Sequence, residues 1–126
     1  MPEPTMPTPA IHVLIPCGGT GSRAGAGAPK QYRLLAGQPM VVHTLAAFAQ
    51  VRGIDLLLCV VAPDDGIFET LLPATQLVAK KAGLTRGETV LNGLNYLLTQ
   101  GARLHDWVLV HDAARCLITP AQITQL

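Results

Sequence analysis

The 126-residue chain is long enough for one domain with a core of ordinary size, and its 49% hydrophobic and 13% charged residues exclude a disordered or wholly polar chain. A net charge of +1 with 4% aromatic residues supplies neither the basic surface nor the stacking platforms that nucleic acid needs, and no general attraction to anionic lipid. Cys17, Cys59 and Cys116 are odd in number, widely spaced and in no metal-ligand pattern, which argues against disulfides and a zinc site and fits a reducing cytoplasm.

Residues 1–10, Met-Pro-Glu-Pro-Thr-Met-Pro-Thr-Pro-Ala, lack the basic and apolar regions of a signal peptide and read as a flexible, proline-rich tail ahead of a domain at 11–126. No later stretch is long enough to span a bilayer, so no membrane association is expected. Apolar runs predict strands at Ile11–Pro16, Asp55–Val61, Gln76–Lys80 and Trp107–His111. Between them, helical patterns fall at Met40–Gln50, Ile67–Leu71 and Glu88–Gln100. Thr85-Arg-Gly-Glu88 has the form of a capping box, and Thr119-Pro120 reads as an N-cap followed by proline in a first helical turn. Strands alternating with helices predict an α/β fold whose sheet is mainly parallel.

The first strand runs into Cys17-Gly-Gly-Thr-Gly-Ser-Arg23 and Ala24-Gly-Ala-Gly-Ala-Pro-Lys30, and no Asp or Glu occurs between Glu3 and Asp55. Glycines let backbone N–H groups approach phosphate oxygens, while Arg23 and Lys30 add full positive charges. A parallel sheet gathers the loops at the carboxyl ends of its strands on one edge, where open α/β folds bind ligands. Three segments are expected to converge there: Gly18–Lys30, Gly83–Gly93 and His111-Asp-Ala-Ala-Arg115.

Two familiar phosphate sites fit poorly. Lys30 follows proline and precedes Gln31, which breaks the Walker pattern. Gly19-Thr-Gly21-Ser-Arg-Ala24 matches the dinucleotide spacing, but no acidic residue follows about 20 residues later to hold a ribose.

Taken in order, Cys17-Gly-Gly-Thr-Gly-Ser-Arg23, Ala28-Pro-Lys-Gln-Tyr32, Thr85-Arg-Gly-Glu-Thr-Val-Leu-Asn-Gly-Leu94 and Val108-Leu-Val-His-Asp-Ala-Ala-Arg115 resemble the successive motifs of the 2-C-methyl-D-erythritol 4-phosphate cytidylyltransferase family. The likeness runs from about Ile11 to Leu126, and His-Asp-Ala-Ala-Arg after an apolar strand is its most specific part. It implies a three-layer α/β/α, Rossmann-like nucleotidyltransferase, incomplete in this chain because roughly the second half of a family domain has no counterpart. The implied activity is transfer of a cytidylyl group from CTP to 2-C-methyl-D-erythritol 4-phosphate, releasing pyrophosphate, in non-mevalonate isoprenoid precursor synthesis. The implied setting is a cytoplasmic homodimer using Mg²⁺ or another divalent cation.

By the same resemblance, Arg23 and Lys30 are the catalytic residues, holding charge that builds on the α-phosphate and the leaving pyrophosphate. Cys17, Gly18, Gly19, Gly83, Thr89 and Ala113 bind the nucleotide, while Asp112 and Arg115 serve the acceptor and Asp112 also the metal. His111 reads better as a packed strand-end histidine than as a catalyst, and His12, His43 and His105 belong to no constellation. Several positions depart from the family pattern. Cys17-Gly18 stands where two alanines are usual, Leu84 where a polar residue follows the glycine, Thr89 where serine is common, and Cys116 where proline follows the arginine. Two other readings stay open at this level: a cytidylyltransferase for another polyol phosphate such as ribitol 5-phosphate, and a non-catalytic nucleotide-binding module.

Overall fold

The computed structural model describes residues 8–18, 32–71, 76–113 and 119–125. Its centre is strand β1 (Ile11–Cys17), whose side chains are buried on both faces, as the unbroken run Val13-Leu-Ile15 requires of an interior parallel strand. A two-residue hairpin follows, β2 (Leu34–Leu35) against β3 (Gln38–Pro39), and then helix α1 (Met40–Ala49). Strand β4 (Ile54–Val61), the short helix α2 (Phe68–Leu71), strand β5 (Leu77–Ala79), helix α3 (Arg86–Thr99), strand β6 (Trp107–Val110) and helix α4 (Pro120–Thr124) complete the order. The four long-range strands form one parallel sheet in the order β5-β4-β1-β6.

Alternation along β1 divides the core. Val13, Ile15 and Cys17 face Val41, Leu45 and Phe48 of α1, with Phe68 of α2 and Ile123 of α4 in the same cluster. Leu14 joins Leu58, Val60 and Ala79 on the opposite face, covered by Leu97 of α3. Helices on both faces of a parallel sheet make the three-layer α/β/α architecture. Phe48 and Phe68, each 1% exposed, are among its largest buried side chains, and each contributes about 1.5–3 kcal/mol by leaving water. Helix α3 lies unusually close to the sheet at Gly93, where a Cβ would stand 2.5 Å from Leu14 Cδ1 and 2.8 Å from Val60 Cγ2.

The elements predicted from periodicity are present, with ends moved by one to two residues. Helix α3 begins at Arg86 because Thr85 is its N-cap, its hydroxyl accepting from Glu88 N–H. The reciprocal half of that capping box differs from expectation: the Glu88 carboxylate accepts from Leu84 N–H, one residue before the cap. At α4 the full box forms, with Thr119 and Gln122 each accepting from the other's backbone N–H and Pro120 in the first turn. The hairpin was not anticipated.

At the amino end of the sheet, Asp106 ties three pieces of chain together. Its carboxylate accepts from Ala10 N–H (3.0 Å), Arg103 N–H (2.8 Å) and His12 Nε2 (2.9 Å). The Arg103 amide first, then His12, hold this carboxyl well below the usual carboxylate range. Ala10 O accepts from Trp107 N–H, so the pairing of β1 with β6 starts within the segment read as tail; residues 1–7 lie outside the described residues.

Candidate active site

The carboxyl ends of the parallel strands share one edge of the sheet, so the segments that follow β1, β4, β5 and β6 all open there. Gly18 leaves β1 against the segment after β5. A Cβ on it would stand 2.6 Å from the Ala82 Cβ and 3.3 Å from Thr89 Oγ1, so glycine is what lets these two segments meet. Gly19, Arg23 and Lys30 lie outside the described residues. Cys17 turns inward: its side chain is buried and its thiol donates to Ile15 O at 3.6 Å, so it can serve a ligand only through its backbone. Beside it, burial first and then the Cys17 thiol push the Cys59 thiol up, keeping it protonated in the core.

Where the chain re-enters the described structure, Tyr32 anchors it. The Tyr32 hydroxyl donates to the Asp65 carboxylate, and its ring packs edge-on against Phe68 with centroids 6.4 Å apart. Burial and then Asp65 push the phenol up, so it remains a donor. Asp65 in turn accepts from Ile67 N–H and Phe68 N–H, capping α2. The end of the glycine loop, two residues past Lys30, is thereby fixed to the segment after β4. Sequence reasoning did not assign Tyr32 or Asp65 a role; the signals were the Pro-Lys-Gln-Tyr32 motif and the turn signature Asp65-Gly66.

The segment after β5 is fastened to the first turns of α3. Ala82 N–H donates to Val61 O, Gly83 N–H donates to Thr89 Oγ1 at 3.0 Å, and that hydroxyl donates to Thr85 O at 3.0 Å. Asn92 Nδ2 donates to Lys81 O at 2.8 Å. Thr89 is buried (3% exposed), and its hydroxyl holds the Gly83 turn in shape. Leu84, beside Gly83, is almost fully exposed at the mouth of this edge.

The segment after β6 stands on the same edge. His111 continues the backbone pairing, its N–H donating to Leu14 O, and its ring packs edge-on against Phe48 at 5.1 Å, the packed role expected of it. Ala113 is buried and its carbonyl accepts from Thr44 Oγ1 of α1 at 2.6 Å, pinning the segment from below. Between these anchored neighbours Asp112 presents a half-exposed carboxylate, whose Oδ1 accepts from Arg86 Nη2 at 3.1 Å. Arg86, the first residue of α3, was missed in the sequence; its partner lies 26 residues away and no local spacing reveals it. Arg115 lies outside the described residues. The structure thus brings Gly18, Gly83 and Thr89 into one cluster and links it to Asp112 through Arg86.

Among the described residues no group of three His, Cys, Asp or Glu side chains is placed to hold a metal ion. Mg²⁺ commonly takes one or two protein carboxylates and completes its shell with phosphate oxygens and water; at this edge Asp112 presents one carboxylate. No described helix is long and apolar enough to cross a membrane.

Comparison with known proteins matches this geometry. The profile of a family described as IspD, 2-C-methyl-D-erythritol 4-phosphate cytidylyltransferase, matches residues 11–126. A bifunctional enzyme IspD/IspF of Albidiferax ferrireducens is 67% identical over 121 residues, which cover 94% of this chain and 29% of that protein. A 2-C-methyl-D-erythritol 4-phosphate cytidylyltransferase of Burkholderia multivorans is 50% identical over 121 residues, again 94% of this chain and 51% of the relative. A crystal structure of 4-diphosphocytidyl-2C-methyl-D-erythritol synthase superposes with a TM-score of 0.81 at 34% identity, covering 94% of this chain and 53% of that one. The chain therefore spans about half the length of the single-function relatives it matches.

Proposed function

The chain belongs to the 2-C-methyl-D-erythritol 4-phosphate cytidylyltransferase family, and from that membership we propose that it carries the nucleotide half of an enzyme joining CTP to 2-C-methyl-D-erythritol 4-phosphate. The observation that carries the reading is the meeting of the Gly18, Gly83–Thr89 and Asp112 segments on one sheet edge, bridged by Arg86.

An acceptor phosphate oxygen attacks the α-phosphorus of CTP; a new P–O bond forms, the α–β anhydride breaks, and pyrophosphate leaves with the electron pair. The nucleophile is already ionised at neutral pH, so no general base is needed and catalysis reduces to placement and charge neutralisation. Gly18 and Gly83 offer backbone edges where base and ribose can be read without side chains, and Thr89 fixes their shape. Arg23 and Lys30, in the segment between Gly18 and Tyr32, supply the charges for the triphosphate. Asp112 would hold the divalent cation, which supplies further neutralisation of phosphate charge, and Arg115 the acceptor phosphate. The buried Cys17 and Cys59, which form no disulfide with one another, support a reducing, cytoplasmic setting, and the resemblance supports a homodimer.

The test is pyrophosphate release by the full-length protein given CTP with 2-C-methyl-D-erythritol 4-phosphate or with ribitol 5-phosphate. Turnover with the first acceptor supports the reading, and turnover with ribitol phosphate alone overturns it. Arg23→Ala and Lys30→Ala are each expected to lower kcat by on the order of 10²-fold or more, the scale for losing one preorganised electrostatic group. Full activity after Arg23→Ala would favour a non-catalytic module.

A further inference from the structure

Tyr32 and Asp65 stand 33 residues apart in sequence and meet beyond the carboxyl end of β4. The Tyr32 ring lies in the core beside Phe68, with the residue 6% exposed, and packing alone would hold the ring there. Its hydroxyl adds what packing does not, a directed bond to Asp65 Oδ2, while Asp65 Oδ1 accepts from Ile67 N–H and Phe68 N–H at the start of α2. Asp65 N–H in turn donates to Ala62 O, and Val61 O accepts from Ala82 N–H, each at 3.0 Å. The exit of β4 is thus tied to Tyr32 on one side and to the segment that leads into Gly83 on the other. Burial first and then Asp65 push the phenol up, so the hydroxyl keeps its proton for this bond.

We infer that the bond between Tyr32 and Asp65 places Lys30 for the reaction, which makes both of them positioning residues acting through that lysine. The inference rests on the proposed function, in which Lys30 supplies charge for the triphosphate. Lys30 lies outside the described residues, but two peptide units join it to Tyr32, so its Cα stays within roughly 7 Å of the Tyr32 Cα in any conformation. An ammonium on a flexible four-carbon stem has many rotamers, so the fixed part of its placement has to come from the backbone that carries it. A group that stabilises a transition state must already be in place when the charge develops, and small displacements are felt strongly in rate. Phenylalanine would fill the same core space; only the hydroxyl ties this stretch of chain to the exit of β4.

The test is steady-state kinetics of the full-length protein with CTP and 2-C-methyl-D-erythritol 4-phosphate. Tyr32→Phe, which keeps the ring and removes one hydroxyl, is expected to lower kcat about tenfold while both KM values move less than about twofold, a split that general loosening of the fold would not give. Asp65→Ala should lower kcat to a similar extent. Asp65→Asn, whose amide can still cap α2 and still bond the Tyr32 oxygen, should recover most of that loss. A cycle with Lys30→Ala assigns the route: in that background Tyr32→Phe should change kcat less than about twofold, because the group it places is gone. An equal kcat loss in both backgrounds, KM changes as large as the kcat change, or an asparagine variant no better than the alanine variant would each overturn the inference. Should Tyr32→Phe fail to fold, the two Asp65 variants, alone and combined with Lys30→Ala, carry the same decision. If the unaltered protein forms no product with any polyol phosphate, the functional reading falls and this inference with it. Turnover that Tyr32→Phe leaves within about twofold sinks the inference alone.

Discussion

Thr89 shows how a buried hydroxyl can shape a turn from within. Its hydroxyl sits between Gly83 N–H and Thr85 O, and at 3% exposure it cannot exchange either bond for water. Thr89→Val keeps the shape and leaves both backbone groups without that partner, so a loss of about 1–3 kcal/mol is expected in denaturant unfolding, with weaker CTP binding in calorimetry. Thr89→Ser retains both bonds and should stay close to the starting protein in each measurement. The sequence assigned Thr89 to the nucleotide site through the motif; its part as an internal brace was not legible, because its partner Gly83 precedes the helix and obeys no helical spacing. Tyr32 with Asp65, 33 residues apart, and Arg86 with Asp112 were illegible for the same reason: each pair is created by folding. Arg23, Lys30 and Arg115 are assigned through the motif resemblance alone and lie outside the described residues.

Among the elements, the strands of the sheet were read from apolar runs because interior parallel strands are buried on both faces and need no alternation. The hairpin β2–β3 escaped for the opposite reason. Each of its strands is two residues long, and its turn uses Ala36-Gly37, with φ of 52° and 83°, where Asn-Gly is the usual signature of two successive positive φ values. Helix α3 was legible as a helix, yet its depth against the sheet was not. That depth depends on Gly93, whose missing side chain leaves room for Leu14 and Val60. Gly93→Ala gains up to about 1 kcal/mol of helix propensity but meets two side chains of central strands at 2.5 and 2.8 Å. Overpacking of that kind costs typically 1–3 kcal/mol, so a net loss of about 1 kcal/mol is expected in the denaturant midpoint. CTP binding should weaken too, since α3 carries Thr89, which holds the Gly83 turn.

At the scale of the molecule, the two edges of the sheet differ: the segments of the proposed nucleotide site open at the carboxyl edge, and Asp106 closes the amino edge. A carboxyl that holds its proton less tightly when folded makes the unfolded chain bind more protons, so stability rises with pH through that range. Asp106 therefore stabilises the protein above about pH 4, the ordinary carboxyl range, and that contribution disappears as pH falls below it toward the depressed folded value. Asp106→Asn is expected to lower the melting temperature at pH 7 and to flatten its decline below pH 4, with a smaller gap between the two proteins at pH 2 than at pH 7. An undiminished gap at pH 2 would assign the effect to packing.

The sheet order β5-β4-β1-β6 also sets a timetable for the nascent chain. Strand β1 is made first but lies inside the sheet, and Ala10 must wait for Asp106, 96 residues later, before its amide finds its partner. During synthesis the run Val13-Leu-Ile15 leaves the ribosome with both faces uncovered, gains β4 on one side only after a further forty or so residues, and gains β6 last. Pairings of this length make folding slow relative to local helix formation. Of these strands, the one that leads into the glycine-rich residues 18–30 is consequently the one that waits longest, open to chaperones and to other unfinished chains.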